Sequence, residues 1–174
     1  MLKKLLIMMA CAGALCAQPR VDLNEGSLFI SGSLALHYQM VDFSNSQHSL
    51  SFGSDIGSGY FVADNIAIGA SLPAVWSFMP ISDGQFGLSV FTTYYFDIDT
   101  IIFPYLGLRP SIAYSMIEKD FRLAAAVDAG FLVSMSESVA LDLGLAPKLN
   151  VALNSKQKWG IEVPAGFLGV RAFF

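Results

Sequence analysis

The sequence predicts an all-β chain, an eight-stranded antiparallel up-and-down transmembrane β-barrel, and three observations predict it. Apolar residues recur at every second position along the chain, the repeat of a strand whose successive side chains leave opposite faces. The chain is 54% hydrophobic and only 14% charged, against about 25% charged in an average soluble domain. Beyond the N-terminus, however, no run reaches the roughly 20 apolar residues that a spanning helix needs. Finally, the second face of each alternating segment carries small residues, where a water-facing surface would carry charges.

The first element is the N-terminus, which reads as a secretory signal peptide over residues 1–17. Lys3 and Lys4 supply the charged region, Leu5 to Leu15 the apolar region, and "ALCAQ" a small-residue cleavage zone. The cut is placed after Ala17, with Cys16 as the alternative position. A retained anchor would need a longer apolar run. A lipoprotein signal would need a small residue before the modified cysteine, and Leu15 precedes Cys16. Cleavage removes Cys11 and Cys16, which leaves no disulfide and no thiolate metal site. Losing Lys3 and Lys4 with no acid takes the net charge from −4 to −6. Without a basic patch, nucleic acid is not a partner. Residues 18–174 then form one domain.

Eight alternating segments follow: Ser27–Met40, His48–Val62, Ile66–Phe78, Phe86–Phe96, Phe103–Met116, Arg122–Val133, Val139–Leu153 and Trp159–Phe174. In the first, Leu28, Ile30, Leu34 and Leu36 oppose Ser31, Ser33, Ala35 and His37. In the third, Ile66, Ile68, Ala70, Leu72, Ala74, Trp76 and Phe78 oppose Ala67, Gly69, Ser71 and Ser77. The fifth sets Leu106, Leu108, Pro110, Ile112, Tyr114 and Met116 against Gly107, Arg109, Ser111, Ala113 and Ser115. The seventh, "VALDLGLAPKLNVAL", puts Val139, Leu141, Leu143, Leu145, Leu149, Val151 and Leu153 on one side. Between segments lie "VDFSNSQ", "ADN", "MPISDGQ", "DIDT", "IEKD", "SMSES" and "NSKQK", rich in the Asp, Asn, Ser and Gly that favour turns. Short strands at this spacing form a meander, as a sandwich or a barrel.

The small face decides which way the meander turns. A surface in water holds charged residues at about a quarter to a third of its positions, whereas a narrow barrel interior favours small ones. The oily face is therefore expected to meet lipid. Aromatics group at segment ends. Tyr38, Trp76, Phe78, Phe86, Tyr114 and Trp159 fall near one rim, and Tyr60, Tyr94, Phe96, Phe103, Phe131 and Phe174 near the other, the two belts that a bilayer's interfaces select.

Two motifs resemble a family. "GYFVADNIAIG", Gly59 to Gly69, resembles a hairpin of bacterial outer-membrane β-barrel domains, and "GFLGVRAFF" resembles the C-terminal strand of outer-membrane proteins, with Leu168, Val170 and Phe174 at alternate positions. The resemblance is to small barrels of the OmpX and OmpW kind. It implies location in the bacterial cell outer membrane and insertion by the barrel-assembly machinery, which reads that terminal aromatic strand as its assembly signal. The lasting partners on this reading are outer-membrane lipid and lipopolysaccharide, and the chain is expected to be a monomer. The outer loops are short, unlike the protruding hairpins of OmpX-type barrels, so no adhesion role carries over.

The charges placed inside are Asp55, Arg109, Asp128, Asp142, Lys148 and Arg171. Counting back from the turns puts Arg109 opposite Asp128, Asp142 opposite Arg171 and Lys148 near Glu162, with Pro164 able to shift the last of these. Unpaired charges in a narrow lumen are costly, so pairing is expected. The pairs read either as a gate in a polar pore or as a polar core that fixes strand register. Eight strands leave room for little more than side chains, which favours the core. A lipid A-modifying enzyme would need a hydroxyl nucleophile with an oriented base. "VDFSNSQHS" offers Asp42, Ser44, Ser46 and His48, and His37 falls beside Ser51, but no lipid A deacylase or acyltransferase pattern is present. Two histidines without paired carboxylate spacing give no metal site, Gly57 and Gly59 lack a phosphate loop's strand–loop–helix context, and no cofactor is implied. The expectation is a structural or membrane-organising role without catalysis, with a narrow channel for small or apolar solutes as the alternative and a lipid A-modifying enzyme as a third class.

Overall fold

Alternation over this much of the chain leaves every segment with one oily face, and the chain hides those faces from its own interior. The computed structural model describes residues 20–42, 47–79, 83–117, 119–152 and 160–174. Nine β segments follow in chain order: β1 (Leu28–Asp42), β2 (Gln47–Ala63), β3 (Ile66–Met79), β4 (Asp83–Tyr95), β5 (Ile102–Ser115), β6 (Asp120–Ser134), β7 (Val139–Leu145), β8 (Lys148–Ala152) and β9 (Gly160–Phe173). Each pairs antiparallel with its neighbours, and β1 pairs with β9, so the sheet closes on itself. The β7 and β8 segments both lie between β6 and β9 and form one stave. The barrel thus has the predicted eight staves. Both Leu28 and Phe174 reach one end, the terminal end, where they exchange backbone hydrogen bonds of 3.2 and 2.9 Å. The other end is called distal.

The seventh stave is interrupted at Ala146–Pro147, where the sequence predicts an unbroken strand. Pro147 has no N–H to give, although its carbonyl accepts from the Val127 N–H at 3.0 Å. Towards β6 the register survives the break: Ala129 faces Leu145 and Ala126 faces Lys148. Towards β9 it slips by one residue, from Gly144 opposite Phe167 to Lys148 opposite Glu162. The same irregularity appears against β1, between Leu36–Gly166 and His37–Pro164. One extra residue in β9 makes a β-bulge, with Gly166 at φ 141°. A bulge reverses which alternate positions face inward, so Glu162 and Arg171 both point into the lumen.

The wall is inside out relative to a soluble domain. Leu28, Ile30, Leu34 and Leu36 of β1 are exposed, as are Leu143, Leu145, Leu149 and Val151 of the seventh stave, while Asp128 is 2% and Arg171 6% exposed. On the outer face Trp76 and Phe86 meet edge to face at the distal end, with centroids 5.4 Å apart, and Tyr94 and Phe96 meet at 4.9 Å at the terminal end. Phe78, Tyr114, Tyr60, Phe131 and Phe174 are exposed as the belts require. Phe103 is a correction: it is 1% exposed and sits inside. It shares its face with Tyr105, and that parity outweighs its nearness to the rim. The Tyr38 and Trp159 side chains lie outside the described residues.

The interior divides into two halves. The distal half is small and ionic, as expected. The terminal half is filled by rings, which the sequence reading did not anticipate: Phe29, Phe61, Phe91, Tyr95, Phe103, Tyr105 and Phe173 pack with Leu132 and Ala140. The inward glycines make room for them. A Cβ on Gly59 would lie 2.3 Å from the Phe29 ring, and one on Gly69 would lie 2.3 Å from both the Phe91 ring and the Ser58 carbonyl. Glycine on this face therefore serves ring packing and leaves no bore at that level.

The segment before β1 crosses the terminal mouth. Val21 and Leu23 are buried in the ring cluster. The Val21 N–H donates to Ser134 Oγ at 3.0 Å, the Asn65 N–H to the Leu23 carbonyl at 2.8 Å, the Gly26 N–H to the Phe61 carbonyl at 2.9 Å and the Phe61 N–H to the Ser27 carbonyl at 2.9 Å. Arg20 pairs with Asp97 and lies over the Phe103 ring, 4.8 Å from its centroid.

Candidate functional site: the barrel lumen

Inward positions of five neighbouring staves, β2 to β6, build the first charged cluster. Arg109 on β5 donates from Nε to Asp128 Oδ2 on β6 at 2.8 Å and pairs through Nη1 with Asp55 Oδ2 on β2. Ser71 on β3 donates to the same Asp55 oxygen at 3.0 Å, and its hydroxyl meets Ser89 of β4 at 2.6 Å. One guanidinium thus ties β2 and β3 to β5 and β6 across the bore. Asp55 Oδ1 and Asp128 Oδ1 are buried acceptors with no hydrogen-bond partner among the described residues.

The second cluster sits at the edge of the ring layer. Arg171 on β9 donates from Nε to Asp142 Oδ2 on β7 at 2.8 Å and bonds the Tyr95 hydroxyl. Tyr105 donates to Asp142 Oδ1 at 2.6 Å. The guanidinium is stacked by Phe29, Tyr105 and Tyr95, at 5.1, 5.5 and 5.7 Å from their centroids. A third pair, Lys148 Nζ with Glu162 Oε2 at 3.1 Å, lies nearer the distal end, and Asn150 donates to the same oxygen at 3.1 Å.

All six predicted lumen charges are therefore inside and engaged. The register differs from the turn count by two residues: Arg109 faces Ala126 and Asp142 faces Gly169. The ion pairs form diagonally instead, because an arginine is long enough to reach the next inward position along the partner strand. Lys148 faces Glu162 directly. Ser71 lies on the small face that the sequence assigns to the interior, whereas Tyr95, Tyr105 and Ser89, whose inward parity was the available signal, and Arg20 were not among the predicted lumen residues. Asp42, Ser44, Ser46 and His48 lie outside the described residues or side chains, as does the residue 1–17 segment. Backbone register does place His37 beside Ser51. Among the described residues no group of three or more His, Cys, Asp or Glu side chains is arranged to hold a metal ion.

A cavity of about 110 Å³ lies in the bore among the charges, bordered by Ser33, Asp55, Ser89, Arg109, Lys148 and Arg171. A single water needs about 10–15 Å³ of such space, so the cavity has room for a small cluster of waters or a solute of comparable size. Outside the membrane-facing staves, burial pushes the Asp97 carboxyl up, but the Asp99 N–H and the Arg20 guanidinium outweigh it and hold that carboxyl below its ordinary range.

No protein-family model matches the chain, and no curated protein matches it in sequence. Solved structures do. The crystal structure of Neisserial surface protein A (NspA) superposes with a TM-score of 0.65 at 17% identity, over 85% of this chain and 99% of that one. The outer-membrane protein OprG of Pseudomonas aeruginosa gives 0.52 at 12% identity, over 88% and 98%. The N-terminal β-barrel domain of OprF from the same organism gives 0.51 at 15%, over 86% and 98%. Closure in eight staves, an apolar exterior and these superpositions agree: the chain has the fold of the small eight-stranded outer-membrane β-barrels.

Proposed function

We propose that the chain is an integral outer-membrane protein, inserted as a monomer with its terminal end in the periplasm, whose role is structural or membrane-organising and non-catalytic. The observation that carries this reading is the occupied bore. Rings and the Arg20–Ser27 segment fill the terminal half, and the cations placed there are matched by carboxylates. Exposed Leu168 and Val170 on β9, and Phe174 just beyond it, suit recognition by the barrel-assembly machinery. The lasting partners are outer-membrane lipid and lipopolysaccharide around the oily wall. Planar-bilayer recording of the purified protein tests the reading: no discrete openings are expected. Discrete openings abolished by Arg109→Gln or Asp128→Asn would overturn it and favour a narrow channel, a second reading that the hydroxyl-lined cavity supports.

A further inference from the structure

Three things occlude the bore: the charged clusters, the ring layer and the segment Arg20–Ser27. They are held very differently. Arg171 and Asp142 each leave only 7% of the side chain exposed, and separating them would strand a charge away from water. The rings are anchored on staves hydrogen-bonded on both sides. The Arg20–Ser27 segment lies outside the sheet and is held by two apolar anchors, Val21 and Leu23, the Val21 N–H bond to Ser134, the Glu25 N–H bond to Asp64, backbone bonds at Leu23, Gly26 and Ser27, and an ion pair whose partners are 33% and 43% exposed. Exposed ion pairs contribute little, and stretches with few buried contacts open locally while the rest stays folded.

We infer that Arg20–Ser27 is a displaceable plug: seated, it shuts the terminal mouth, and unseated, it admits water to the ring layer without unfolding the barrel. The inference deepens the occupied-bore reading by naming the part that moves. Val21 and Leu23 are the stopper, since they join the cluster containing Phe61, Phe103 and Ala140. Arg20 is the latch, holding Asp97 from one side and stacking on Phe103 from the other. The latch reaches Asp99 as well, at 3.8 Å.

Thiol accessibility tests it, in a background where Cys11 and Cys16 are replaced by serine. The reporter is Ala140→Cys, a fully buried position beneath the plug. Ser33→Cys, bordering the distal cavity, is the control. The probe is a small cationic methanethiosulfonate, with folding checked by the gel mobility of the unheated barrel. Adding Val21→Asp and Leu23→Asp should raise the Ala140→Cys modification rate at least about tenfold and leave the Ser33→Cys rate unchanged. Arg20→Ala alone should give a smaller rise in the same direction, and it replaces the double variant if that fails to fold. Equal Ala140→Cys rates with and without the substitutions would overturn the plug. A rise at both reporters would also overturn it, because the whole barrel would then have loosened. A wild-type barrel that conducts would sink the occupied-bore reading and leave this measurement standing.

Discussion

Replacing Arg171 with methionine isolates the energetics of the lumen. Methionine keeps the length and apolar stem but removes the guanidinium from between Asp142 and the Tyr95 hydroxyl. Asp142 is 5% exposed and retains only the Tyr105 hydroxyl, at 2.6 Å. Stranding one member of a buried pair costs about 3–5 kcal/mol, and the lost stacking on Phe29, Tyr95 and Tyr105 lies within that range, since desolvated cation–π contacts are worth about 2 kcal/mol. A loss of about 4 kcal/mol at a urea dependence of about 2 kcal/mol per molar lowers the unfolding midpoint by about 2 M. The assay is equilibrium urea unfolding of the refolded barrel in lipid vesicles, followed by the fluorescence of Trp76 and Trp159. Adding Asp142→Leu removes the stranded charge, so the double variant should recover most of the loss. The resulting cycle should show a coupling of about 3 kcal/mol. A single variant costing under about 1 kcal/mol, or two strictly additive substitutions, would refute the argument that the pair is buried and mutually dependent.

Two other outcomes follow from the wall and from the plug. Leu143, half-way along the outer face of the seventh stave, should tolerate arginine poorly, losing about 2–4 kcal/mol in vesicles, whereas Val139→Arg at the strand's terminal end should lose about 0–1 kcal/mol. Equal costs at the two depths in the same unfolding assay would mean that the oily wall does not face lipid. The Arg20–Asp97 latch should weaken in acid. Because folding depresses the Asp97 carboxyl, its stabilising contribution is complete above the usual carboxylate range and declines as pH falls through the lower folded value. Because only the thiolate reacts, the readout is the ratio of Ala140→Cys rates, Asp97→Asn over wild type at the same pH: it should exceed one at pH 6 and approach one towards pH 3, and a ratio independent of pH would contradict the latch.

The outer face was legible because strand periodicity is local: Leu143 and Asp142 part company whatever surrounds them. The ion pairs were legible for a related reason. An inward charge in a narrow bore has few partners, and arginine's reach forgives a register error of two residues. The same error would have misassigned a short side chain. Phe103 lies close to a turn, as a belt residue would, yet points inward, because parity along the strand sets a side chain's direction and depth does not. Glu162 could not be settled from sequence, since its direction depends on a bulge whose existence Pro164 permits without requiring.

Alternation by itself determined that the chain is built of strands with one oily and one small face, because which residues share a face depends only on position along the strand, and composition pointed the oily face outward. The tertiary structure decided how the inside is filled. Whether an inward phenylalanine packs, whether a glycine opposite it is space or filler, and where the irregular residues 20–27 come to rest all depend on side chains arriving across the bore from distant staves. Those meetings are set by barrel closure and stagger, which no single segment encodes.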